Sequence, residues 1–126
     1  MLNDQPVRPT IAASDLDRAR RFYQDTLGLK IADERGEGIV FESGETTLLV
    51  YQSAFAGTSQ ATVAGWMVSD LEGTMADLRS RGVTFEEYDM PGLKTVDGVA
   101  ENDAMRGAWF KDTEGNILAV AEEKQG

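Results

Sequence analysis

The tetrapeptide Ser14-Asp15-Leu16-Asp17 returns, almost unchanged, as Ser69-Asp70-Leu71-Glu72. Each copy opens a stretch with helical spacing: Leu16, Ala19, Phe22, Tyr23 and Leu27 in the first, Leu71, Met75 and Leu78 in the second. Each stretch runs to a glycine, Gly28 or Gly82, suited to the left-handed position just past a helix end. The serines stand 55 residues apart and the glycines 54, so start, length and stop are all repeated. The pattern predicts a capping box in each copy, with Ser14 and Ser69 as N-caps and Asp17 and Glu72 reaching back from three positions on. A chain of 126 residues that repeats itself in this way is constrained to fold as two like halves.

Strand-like segments surround each helix. Before the first lies RPTIAA, and after it LKIADE, GIVFES and TTLLVYQ, the last two joined by a short turn at Gly44-Glu45. Before the second lies TVAGWMV, and after it VTFEEY, GAWFK and NILAVAEE, the last pair joined through DTEG. Each half therefore reads β-α-β-β-β, and the fold class is α+β. The expected organisation is a single domain over 1–126, with one module at about 7–52 and a second at about 62–123. The small, polar segment 53–61 reads as the link between them, and 89–105, which has no strong period, reads as a long loop inside the second module.

With DLDRARRFYQDTLGL in the first half and the D-x-x-G-N turn of Asp112–Asn116 in the second, the chain resembles the vicinal oxygen chelate superfamily. That group includes glyoxalase I, extradiol dioxygenases, and fosfomycin- and bleomycin-resistance proteins. The resemblance covers roughly residues 7–122. It implies two modules that curl their strands into a cup, with helices outside and a ligand held between the halves. It also implies where metal ligands should stand. Seven residues before Asp15 and Asp70, where relatives often place histidine, are Arg8 and Val63. The glutamate expected three residues after Asn116 is Ala119, and its first-module counterpart falls at about Leu49. None of these four side chains can ligate a divalent metal, and the chain has no histidine at all. No metal or other cofactor is expected.

Strand alternation, started from those positions, gives a list of residues facing the cup. Arg8, Thr10 and Ala12 come from the first strand, and Thr47, Leu49 and Tyr51 from the last strand of the first module. Val63, Gly65 and Met67, with Ile117, Ala119 and Ala121, come from the second module. On this register Ile11, Trp66, Val68, Leu118 and Val120 point toward the helices. The candidate ligand contacts are Arg8, Thr10, Leu49, Tyr51, Met67, Trp109 and Ala119, and no catalytic residue is assigned. Several admit a second role. Tyr51 suits stacking on a flat ligand or plain packing. Arg8 suits a ligand carboxylate or an ion pair with an acidic neighbour. Of the adjacent Trp109 and Phe110, Phe110 matches the core aromatic of the resembled family, which leaves Trp109 for the cup. Met90 and Leu93 suit either a cover over the cavity or a solvated loop, and Arg106 reads as a surface residue.

Composition narrows the partners. Twenty-two acidic residues against 12 basic ones give a formal charge of −10, which repels nucleic acid and attracts cationic small molecules. No apolar run approaches the ~20 residues of a membrane helix, and the start lacks the order of a signal peptide. The absence of cysteine excludes disulfides and thiolate chemistry, so a cytoplasmic location is the expectation. Exposed sheet edges lead us to expect a homodimer, its cup formed within one chain or between two swapped ones. The leading functional expectation is a metal-independent protein that sequesters a hydrophobic or cationic small molecule, as bleomycin-resistance proteins do. The alternatives are a glyoxalase- or dioxygenase-like enzyme with an unusual or metal-free site, and acid–base catalysis by a groove carboxylate with Tyr51 or Arg8.

Overall fold

The computed structural model of the chain describes residues 1–124. After a 3₁₀ turn at Leu2–Asp4, the first half runs β1 (Thr10–Ala13), α1 (Leu16–Arg21), β2 (Lys30–Arg35), β3 (Gly38–Ser43) and β4 (Thr46–Gln52). The second half runs β5 (Thr62–Met67), α2 (Leu71–Ser80), β6 (Asp89–Met90), β7 (Leu93–Lys94), β8 (Val99–Glu101), β9 (Met105–Lys111) and β10 (Ile117–Glu123). Two four-stranded mixed sheets result, ordered β1-β4-β3-β2 and β5-β10-β9-β8. In each, the strand before the helix lies parallel to the last strand of its half, β1 on β4 and β5 on β10. The duplicated βαβββ plan is thus the fold of the molecule.

The helices cover one face of the sheets. Ile11, Ala13, Ile39, Phe41, Leu48 and Val50 of the first sheet and Ala108, Phe110, Leu118 and Val120 of the second are buried there, against Ala19, Phe22, Tyr23, Leu71, Met75 and Leu78. The alternation expected from the sequence holds along β1, β4 and β10. It fails in β5, where a bulge opposite Ile117/Leu118 leaves Val63 without a partner in the register. Both Val63 and Ala64 consequently pack against the core, so Val63 does not face the open side as the strict alternation required.

Both helix starts are shifted from the expected capping box by one residue. The N-caps are Asp15 and Asp70, whose carboxylates accept from the backbone N–H of Arg18 and Gly73 at 3.0 Å. A carboxylate adds favourable charge at a helix N-terminus that a hydroxyl lacks. Ser14 is in any case engaged elsewhere, its N–H and hydroxyl both bound to Glu114. Past α1 the chain opens into a π turn over Phe22–Thr26, closed by Leu27 N–H to Phe22 C=O at 3.0 Å. The wider turn brings the consecutive Phe22 and Tyr23 into the core together, their rings edge to face at 5.4 Å. Gly28 and Gly82 then take φ of +75° and +94°, as the helix-stop reading requires.

The other departure is the second half's outer strand. VTFEEY makes only an isolated bridge from Phe85 to Phe110, and the ladder on β9 is continued by β8, from the stretch expected to be loop. The 87–98 stretch folds instead into a hairpin, β6–β7, tied at its base by Thr95. Its hydroxyl donates to Glu87 at 2.6 Å and accepts from Tyr88 N–H at 2.8 Å.

Candidate functional site

Opposite the helices, each sheet presents an open face. On the first, Thr10 pairs with Leu49 and Ala12 with Tyr51, side by side across β1 and β4. On the second, Ala119 stands between Gly65 and Trp109, and Met67 lies beside Ala121. Tyr51 is 40 % exposed and Met67 60 %, so both faces carry large side chains that the described residues leave partly uncovered. The candidate contacts therefore form two groups, Thr10, Leu49 and Tyr51 on one sheet and Met67, Trp109 and Ala119 on the other. Arg8 is exposed just before β1, and among the described residues it makes no ion pair. The groups are not brought into one cleft. Trp109 lines a cleft of about 660 Å³, and Met67 lines two others; none of these includes Arg8, Thr10, Leu49, Tyr51 or Ala119.

The Trp109 cleft lies between the strands of the second module and two segments outside the repeat. The link 57–62 forms one wall, and the hairpin of β6 and β7 with Tyr88, Met90 and Leu93 forms the other. The Trp109 indole N–H donates to the Thr62 hydroxyl at 3.2 Å, and its ring meets Tyr88 edge to face at 5.8 Å and 81°. Burial, and to a lesser degree the Glu86 carboxylate, pushes the Tyr88 phenol above its ordinary value, so it stays a neutral hydrogen-bonding group. Glu86 and Lys111 close one end as a pair at 3.7 Å. Sequence reasoning placed Trp109 toward a ligand but did not pick Tyr88. The signal was present in Met90-Pro91-Gly92-Leu93, a Pro-Gly turn between apolar residues, with Gly92 at φ +81°.

Trp66 faces the other way. It packs against the core, and its indole N–H donates to the Ser43 hydroxyl at 2.8 Å, joining the two halves. Arg106, read from the sequence as a surface residue, is a hub: it pairs with Glu72, with Glu122 at 3.3 Å and with Glu101 at 3.6 Å. Hydrogen bonding from Arg106 lowers the Glu72 carboxyl.

The two halves are joined most firmly at the 112–116 turn. Asp112 accepts from the backbone N–H of Glu114 and Asn116 through one oxygen, and from the Tyr23 hydroxyl at 2.6 Å through the other. Asn116 donates to the Ala12 carbonyl at 2.7 Å. Glu114, whose side chain is fully buried, accepts from Ser14 N–H, Asp15 N–H and the Arg18 guanidinium at 2.8–3.1 Å. Burial alone would raise this carboxyl, but the Arg18 hydrogen bond, the Asp15 N–H and the hydroxyls of Thr113 and Ser14 outweigh it and hold it at about 2. Opposite effects act on Tyr23, whose phenol is pushed up by burial and by Asp112. These residues tie the two halves together.

The positions implied for a metal carry Arg8, Leu49, Val63 and Ala119, and this donor set does not fit one. It offers a cation and three aliphatic side chains, and Val63 is turned partly into the core. Nor do the described residues bring three Asp, Glu, His or Cys side chains together in a group able to hold an ion.

Two repeated βαβββ halves with open sheet faces opposite their helices define a two-module α+β fold. The chain belongs to the glyoxalase/bleomycin resistance protein/dioxygenase superfamily, which it matches over residues 5–120. Among solved structures it is similar to a putative glyoxalase family protein from Bacillus anthracis (17 % identity, 95 % of this chain and 96 % of that one, TM-score 0.75). It is also similar to a glyoxalase/bleomycin resistance protein/dioxygenase from Alicyclobacillus acidocaldarius (20 %, 99 % and 96 %, 0.73). A third is lactoylglutathione lyase from Agrobacterium tumefaciens (17 %, 94 % and 93 %, 0.71). At these identities the likeness establishes the fold. No curated protein matches the chain by sequence.

Proposed function

We propose that this chain is a metal-independent small-molecule-binding protein that sequesters a hydrophobic or cationic compound against its open sheet faces, in the manner of bleomycin-resistance proteins. The observation that carries this reading is the replacement of all four implied metal ligands by Arg8, Leu49, Val63 and Ala119. A divalent ion there loses hydration with nothing to compensate it. The formal charge of −10 and the exposed Tyr51 and Met67 favour capture of a cationic or apolar compound. The protein acts as a homodimer, in which a second copy covers the faces one chain leaves open, and its location is cytoplasmic.

Metal analysis tests the reading. After dialysis the purified protein should retain less than about 0.1 equivalent of Zn, Ni, Fe or Mn, since it offers no imidazole, thiolate or clustered carboxylate at these positions. Added metal should leave the melting temperature unchanged, because binding to the native state must raise it. Installing Arg8→His, Leu49→Glu, Val63→His and Ala119→Glu together should create measurable Zn²⁺ affinity, weakened by the inward turn of Val63. Stoichiometric metal retained by the unmodified protein against a weak chelator returns the enzyme reading to first place.

A further inference from the structure

Nearly everything in the second half has a counterpart in the first. The exceptions include the link 53–61 and the hairpin of β6 and β7, and both reach one place, the cleft around Trp109. We infer that this cleft is a binding site for a planar aromatic molecule, held between the Trp109–Tyr88 corner and the hairpin residues Met90 and Leu93. The inference rests on the small-molecule reading above and fixes where on the second sheet the ligand lies.

Three features of the cleft select a flat ring system. Trp109 and Tyr88 meet at 81°, so one ring offers its face while the other offers its edge, and a flat guest can be stacked and edge-packed at once. Met90, 50 % exposed although apolar, stands on the hairpin with its polarisable thioether over the same space. The volume of about 660 Å³ falls within the range of small-ligand sites. On the opposite wall the Thr62 hydroxyl, which accepts from the Trp109 N–H, has its own proton to donate to a ligand, whereas those of Thr58 and Ser59 go to the Phe55 and Ala61 carbonyls. The backbone under the aromatic corner is tied on both sides: the Tyr88 N–H donates to the Thr95 hydroxyl at 2.8 Å, and the Glu86 N–H donates to the Trp109 carbonyl at 2.7 Å. A rigid corner loses little entropy when a ligand arrives.

The test is calorimetry and tryptophan quenching with three probes: 2-naphthol (planar, neutral), its saturated analogue decahydro-2-naphthol, and proflavine (planar, cationic). The full chain should bind 2-naphthol about tenfold more tightly than the saturated analogue, the increment that aromatic contacts add beyond buried area. Tyr88→Ala should weaken both planar probes by about tenfold, and Met90→Ser with Leu93→Ser by a few-fold, with melting temperatures confirming the fold. Equal affinity for 2-naphthol and its saturated analogue overturns the planar class. Planar probes whose binding survives Tyr88→Ala but is lost on Tyr51→Ala overturn the location and leave the small-molecule reading standing. If none of the three binds the unmodified chain, the Trp109 site is overturned, while the metal analysis above decides the small-molecule reading separately.

Discussion

Glu114 is a buried carboxylate that stays ionised because donors from four residues, Ser14, Asp15, Arg18 and Thr113, converge on it, and its worth is set by pH. Its folded value of about 2 lies below the ordinary carboxylate range, so it stabilises the fold fully above about pH 5. That contribution is lost progressively as pH falls toward 2, where the folded carboxyl itself protonates. Urea midpoints measured at pH 7 and pH 3 should therefore differ more in the natural chain than in Glu114→Gln. At pH 7 the substitution should cost about 3 kcal/mol: the amide oxygen can keep the Ser14 and Asp15 N–H groups, which share one carboxylate oxygen, but its NH2 then meets the Arg18 Nε–H and the guanidinium loses its counter-charge. Equal acid sensitivity in both proteins refutes this role. The sequence marked the D-x-x-G-N turn as a family element without showing what Glu114 does, since its partners Ser14 and Arg18 lie 100 and 96 residues away. Arg106 was illegible for the same reason: its partners Glu72, Glu101 and Glu122 sit on three other segments. Trp109 and Trp66, by contrast, were separable by strand parity once the resemblance had fixed the register and given Phe110 to the core.

Elements whose residues are half buried with a clear period were legible: both helices, β1, β3, β4 and β10 stand where alternation or helical spacing put them. The outer strand of the second sheet was not, because edge pairing is decided by what reaches β9, and two short segments share it. The bulge in β5 left no mark in the sequence either. In the link, the reading of 53–61 as a passive connector understates Gly57. It sits at φ +71°, its N–H donates to the Asn116 side chain at 3.1 Å, and a Cβ there meets the Glu114 carbonyl oxygen at 2.5 Å. Gly57→Ala should therefore destabilise the protein by about 2–3 kcal/mol through left-handed strain and backbone overlap. In thermal melts Gly44→Ala, at a similarly positive φ but in open space, should cost less; equal losses at the two sites indicate that the overlap is relieved.

Across the whole molecule the charge and the open faces pull in opposite directions. A formal −10 opposes self-association, while Tyr51 and Met67, uncovered on the sheet faces, favour it. The outer strand β2 is blunted by Lys30, Asp33, Glu34 and Arg35, so edge-to-edge growth there is disfavoured and a closed pair built on the open faces is favoured. Light scattering at micromolar concentration should give about twice 13.7 kDa, and more firmly so at 0.5 M salt, where the mutual repulsion is screened. A monomer at every concentration and ionic strength removes the dimer from the proposal. The clamp at Glu114 also bears on how the chain is made. A ribosome releases the first module, helix included, long before the residue that satisfies Ser14 and Asp15, which follows 100 positions later. The amino-terminal half must wait, incompletely bonded, until nearly the last strand is synthesised. Two halves that read as independent copies are thus born in sequence but finished together.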